Sequence, residues 1–203
     1  MNNAEFIKRY KKLIISMLAT VFIGIGYFVI SNQITKQKNE EAAIIYENLM
    51  DAFSSYAENK EIINEILDDL LTNYKSTGYA QLALLNKANL DANNNNLQES
   101  LESFKKLVNI TDGRNGNKLY NKMARVSAAR ILLSQDQYDE ALNMIEMFST
   151  DSTNGYIHEL IGDILVKQNK VDLARVQYQL ASEKYSDETS KSIISMKMAN
   201  IGN

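Results

Sequence analysis

The stretch Ile161–Ala181, IGDILVKQNKVDLARVQYQLA, decides how the chain is read. Two apolar helical patterns flank a polar turn at Gln168–Asp172. Around that turn, Gly162, Ala174, Tyr178 and Ala181 stand at telling distances. In a helical hairpin that repeats about every 34 residues, a small residue on the first helix lets the second approach closely. A small residue early in the second helix fills the matching notch. An aromatic four residues on covers the same face, and a further small residue receives the next hairpin.

Stepping the frame back 33 residues puts it on Ala129, Ala141, Ile145 and Phe148, with a turn at Ser134–Asp139. A further copy falls on Ala88, Ser100, Phe104 and Leu107, with a turn at Asn93–Asn96. Ser100 and Ala141 are 41 residues apart, so DGRNGNKLYNK (112–122) is expected to lengthen that connection. Three copies at compatible spacing predict a tetratricopeptide-like α-solenoid. The large aromatic usual early in each first helix is replaced by Leu84, Arg125 and His158, and proline is absent from the whole chain. That absence suits helices joined by Asn/Asp/Gly turns.

Upstream, Ala42, Ala43, Ile45, Tyr46, Leu49, Met50, Phe53 and Tyr56–Ala57 recur at helical steps across Asn32–Asn59. Ile62, Ile63, Ile66, Leu67, Leu70, Leu71 and Tyr74 form a second stripe, closed by Ser76-Thr77-Gly78. Downstream, Ser186-Asp187-Glu188 opens a final helix whose apolar side is read as Ile193, Ile194, Met196, Met198 and Ile201. It is expected to cap the last hairpin.

At the other end, Leu13–Ser31, LIISMLATVFIGIGYFVIS, carries no charge. As a helix it is about 28 Å long, close to the hydrocarbon thickness of a bilayer. It ends VISNQITK, without a small-residue cleavage pattern, so an uncleaved anchor is preferred to a cleaved signal peptide. Lys8, Arg9, Lys11 and Lys12 precede it, opposed only by Glu5. Basic flanks stay cytoplasmic, so the N-terminus is expected inside and the C-terminal domain outside; in a bacterium that means a span in the inner membrane and a domain in the periplasm. Whether the first soluble helix continues the span is left open by the sequence. The expected organisation is all-α: a basic tail (1–12), a transmembrane anchor (13–31), a membrane-proximal helical hairpin (32–78), repeats (79–185) and a capping helix (186–203).

The chain has 203 residues, no cysteine and a net charge of −3. Four of its 22 basic and one of its 25 acidic residues precede Ser31, which leaves −6 for the remainder. A mildly acidic outer domain disfavours nucleic acid as a ligand. His158, the single histidine, sits at an inward position without cysteine or a second histidine, so packing is the expected role. Asp68–Asp69 and Glu40–Glu41 are sequence neighbours and do not share a helix face. Asp112–Gly116, DGRNG, lacks the acids of a calcium loop and reads as a turn. No phosphate loop or nucleophile motif occurs. No enzyme, cofactor or metal site is expected.

Arrays of this kind bind with the wall made by their first helices. Here that wall is expected to carry Leu85, Asn86 and Asn89, then Val126 and Arg130, then Glu159, Asp163 and Val166. Leu85, Val126 and Val166 are apolar on a mostly polar face, which points to a contact surface.

The layout of basic tail, one span and a repeat domain of this size resembles the YfgM family of ancillary SecYEG translocon subunits. MARVSAARILLSQDQYDEAL resembles that family's leucine-alanine-arginine-valine helix, with Met123, Ala124, Arg125 and Val126 at the corresponding places. GDILVKQNKVDLAR and MKMANI are similar to its last repeat and C-terminal tail, and YENLMDAF and TGYAQLAL to its earlier helices. The resemblance implies a non-enzymatic membrane protein that associates with SecYEG and with a PpiD-type membrane-anchored chaperone, assisting exported polypeptides. A tetratricopeptide adaptor for another envelope assembly, such as outer-membrane protein insertion or cell division, is the alternative.

Overall fold

A computed structural model describes residues 3–113, 116–150 and 154–201, and every regular element among them is helical. The chain divides into two compact units, Met1–Ala80 and Gln81–Asn203, with the boundary inside one helix, α3 (Gly78–Asn93).

The first unit holds α1 (Asn3–Phe53) and α2 (Lys60–Asn73). α1 answers the question of continuity: it runs through the apolar stretch into the soluble region without a break. Residues 32–42 contain no glycine or proline, and the polar side chains there bond back onto the helix. Thr35 Oγ1 donates to the Ser31 carbonyl (2.9 Å) and Asn39 Nδ2 to that of Thr35 (3.0 Å). An 18-residue window within Tyr10–Phe53 reaches a mean hydropathy of 2.5, none of it buried, so α1 is long and apolar enough to cross a membrane.

α1 stops at Phe53, not Asn59. The Ser54 hydroxyl donates to the Asp51 carbonyl, and the Asn59 amide reaches back to that of Ala52, closing a turn that contains Tyr56 and Ala57. Ala42, Leu49 and Ala52 of α1 and Ile63, Leu67 and Leu70 of α2 are buried where the two helices pack. Each large side chain among them contributes roughly 1.5–3 kcal/mol. The Tyr74 hydroxyl donates to Glu41 (3.1 Å), and the Tyr46 and Tyr79 rings meet at 5.6 Å. Thr77 accepts the Ala80 N–H through its hydroxyl and so caps α3.

The second unit continues α3 with α4 (Leu97–Thr111), α5 (Lys118–Ser134), α6 (Tyr138–Ile145), α7 (Gly155–Lys167), α8 (Val171–Lys184) and α9 (Glu188–Asn200). One turn is used three times. Asn95, Asp136 and Asn169 adopt φ of 62°, 58° and 58°. The N–H of the following residue then donates to the carbonyl five positions back: Asn96 to Asp91, Gln137 to Leu132, Lys170 to Leu165. This is a Schellman closure, and Asn and Asp are the non-glycine residues that tolerate it best. These backbone bonds fix the repeat register independently of side chains, and the frame of Ala88, Ala129 and Gly162 against Ser100, Ala141 and Ala174 agrees with it.

All six of those residues are buried, and the reason differs from copy to copy. The Ser100 hydroxyl donates to the Ala88 carbonyl (2.7 Å), tying α4 to α3. At Gly162 a Cβ would stand 2.6 Å from Cε1 of Tyr178, so only glycine admits the ring. The same register exposes a difference. Lys87 and Asp91 form a buried ion pair (2.7 Å) where the later hairpins have Ala128 and Leu132, or Ile161 and Leu165.

Two expectations are corrected. Phe148 is not a buried helical position. α6 ends at Ile145 and tightens into a 3₁₀ turn, Glu146–Phe148, which leaves Phe148 half-exposed beneath Lys122. The apolar side of α9 is also split. Ile194 and Ile201, seven residues apart, are buried, whereas Ile193 and Met196 point outward, Met196 at 63% exposure. The long connection before α5 lies where expected. In it, a Cβ on Gly116 would overlap the Thr111 carbonyl, and Asn117 caps α5 by accepting from Leu119 and Tyr120. Arg114 and Asn115 of DGRNG lie outside the described residues.

α9 begins at the expected cap, with Asp187 Oδ1 accepting the Ser190 N–H (2.8 Å). It matches α7 in length and lies 33 residues further on, so it occupies the place of a next first helix.

Candidate docking wall

α3, α5 and α7 are the first helices of the three hairpins, and their outward residues make one wall of the second unit. On α5 the stripe runs Leu119, Met123, Val126, Arg130, at steps of four, three and four. Leu119 is 65% exposed and Met123 41%. On α7 the corresponding line is Tyr156, Glu159 and Asp163.

Of the wall residues read from the sequence, Asn89 and Arg130 are exposed and line one groove of about 380 Å³ between α3, α4 and α5. Val126 and Val166 are half-buried. Leu85 is only 7% exposed and packs inside α3's surroundings, because α3 is buried on several faces; Asn86 beside it is half-buried.

Glu159 and Asp163 are already engaged. Asp163 accepts from the Tyr178 hydroxyl (2.7 Å) and from Lys197 of α9 (2.7 Å). Glu159 accepts from the Tyr185 hydroxyl (2.6 Å) and pairs with the same Lys197 (2.7 Å), whose ammonium also lies 5.8 Å from the Tyr178 ring centre. Burial first, and then these carboxylate bonds, push both phenols well above their usual range. For Lys197 burial pulls downward, but its bonds to Asp163 and Glu159 outweigh it and the net shift is upward. One lysine thus bridges both carboxylates and offsets one of the two negative charges at the acidic end of the wall.

Sequence reasoning missed Leu119, Met123, Tyr156 and Lys197. The first two were reachable by continuing the Val126 stripe backwards by three and seven residues. Lys197 was not, since its partners lie 34 and 38 positions away. His158 is buried as expected, with Nδ1 2.8 Å from Gln177 Oε1. Among the described residues no group of three or more His, Asp or Glu is placed to hold a metal ion.

The fold defines a helical-hairpin repeat protein. Residues 4–203 match the family model described as a tetratricopeptide repeat-like domain, and the chain belongs to that family. It is also similar to a protein of Aggregatibacter actinomycetemcomitans named an ancillary SecYEG translocon subunit, 24% identical over 165 residues, 81% of this chain and 77% of the relative. The two matches bear out the resemblance to the YfgM family. No solved structure matches the chain.

Proposed function

We propose that this chain is an ancillary subunit of the SecYEG translocon: a non-catalytic scaffold held in the bacterial inner membrane by one span. Its N-terminus lies in the cytoplasm and its repeats in the periplasm, where they dock a PpiD-type chaperone and assist the transfer of exported polypeptides. In this reading residues 13–31 anchor, 32–78 form the membrane-proximal hairpin, 79–185 bind and 186–203 close the array.

The observation that carries the reading is the apolar stripe of exposed Leu119 and Met123, continued by half-buried Val126, on a wall of first helices. Contiguous apolar side chains left in water on one helix face mark a contact surface. The name of the bacterial relative supports the translocon as the partner, and the basic flank of the apolar run supports the orientation.

Photocrosslinking in cells from Leu119 and Val126 tests it. Adducts with translocon subunits and a PpiD-like protein are expected. Recovery of neither, or activity of a C-terminal reporter only in the cytosol, would overturn the assignment.

A further inference from the structure

Resting on the docking wall proposed above, we infer that the groove between α3, α4 and α5 seats a peptide segment by an acidic side chain, received by Arg130 and flanked by apolar residues. Five side chains with hydrogen-bond donors line this groove: Ser134, whose hydroxyl is spent on the Ile131 carbonyl (2.7 Å), and four others, the amides of Asn89 and Asn93, the hydroxyl of Ser127 and the guanidinium of Arg130. None of the four makes a hydrogen bond or ion pair with any other described residue. No Asp or Glu lines the groove, although the chain beyond Ser31 carries a net charge of −6. Its floor is apolar, with Phe104 and Ile131 almost fully buried beneath it.

Unengaged donors around a planar cation, with acids kept away, are complementary to a carboxylate. The apolar floor complements the side chains beside it. The repeat frame adds a second argument. Asp163 occupies on α7 the position that Arg130 occupies on α5, and it would repel an incoming acid. Lys197 and the Tyr178 hydroxyl hold that carboxylate in place, so one of the two negative charges at that end is offset within the chain, while Arg130 makes no ion pair among the described residues.

The test uses the full chain in dodecyl maltoside micelles, applied to an array of dodecapeptides with Leu and Ala flanks around one central residue: Asp, Glu, Asn, Gln or Lys. Asp and Glu peptides are expected to be retained about fivefold or more over their Asn and Gln isosteres. Arg130→Gln should erase that ratio, and Arg130→Lys should keep part of it. Because Arg130 is exposed, neither change should alter the circular dichroism spectrum.

Equal retention of Asp and Asn peptides, a ratio untouched by Arg130→Gln, or displacement of the acidic peptides by inorganic phosphate would overturn the inference. If apolar peptides are still captured, and Leu119→Asp releases them, the wall stands and only its acidic preference fails. Capture of no peptide by the unaltered chain would overturn both.

Discussion

Replacing Gly162 with alanine should destabilise the protein although alanine is the better helix former. The new Cβ would lie 2.6 Å from Cε1, 2.7 Å from Cδ1 and 3.1 Å from Cζ of Tyr178. Ordinary contact requires the ring to retreat by about 0.8 Å. It has little room to do so, because it is 3% exposed and its hydroxyl is held by Asp163 at 2.7 Å. Overpacking costs about 1–3 kcal/mol, and with three ring atoms inside contact distance the upper end, about 2–3 kcal/mol, applies, against roughly 1 kcal/mol gained in helix propensity. The net loss is about 1–2 kcal/mol, or a fall in Tm of roughly 3–6 °C for a chain of this size. Thermal unfolding of the full chain in detergent, followed by circular dichroism, measures it. In a Tyr178→Leu background the obstruction is gone, and the same Gly162→Ala change should stabilise; that reversal of sign is the signature of direct contact. Should Gly162→Ala leave Tm unchanged or raise it with Tyr178 present, the account of the small-residue notch is wrong.

The buried pair of α3 makes a second test. Asp91→Leu alone leaves the buried Lys87 ammonium without its carboxylate and should cost about 3–5 kcal/mol. The double change with Lys87→Ile, which copies Ile161 and Leu165, should restore or exceed the original stability in urea unfolding. In the three turns, Asn169→Gly should be neutral or slightly stabilising and Asn169→Val should lose about 1–2 kcal/mol, since only the latter opposes φ of 58°. The α7–α8–α9 cluster should also fail in alkali. Tyr178, Tyr185 and Lys197 all have folded-state pKa values above their unfolded ones of 10.0, 10.0 and 10.5. Their contribution is complete below about pH 10 and is lost as the pH rises through the folded values. Tm should therefore drop above about pH 10, and Tyr178→Phe should lessen the drop.

Much of this protein was legible in order of residues alone, because it rests on local rules. An uncharged run of bilayer length, helical periodicity without proline, and small residues recurring in a fixed frame each follow from spacing along one chain. So do Asn and Asp at the hairpin turns, where the φ they adopt is a property of the single residue. The tertiary structure decided what depends on partners far apart in sequence. It buried Leu85, which periodicity had placed on the wall, because α3 is covered on several faces. It joined Glu159 and Asp163 to Lys197, and so left Arg130 as the open charge of a groove whose donors come from two helices. It set a Lys–Asp pair where the other hairpins are apolar. Spacing fixes which residues share a helix face, but what that face meets depends on the packing of other helices against it, and a helical period carries no record of that.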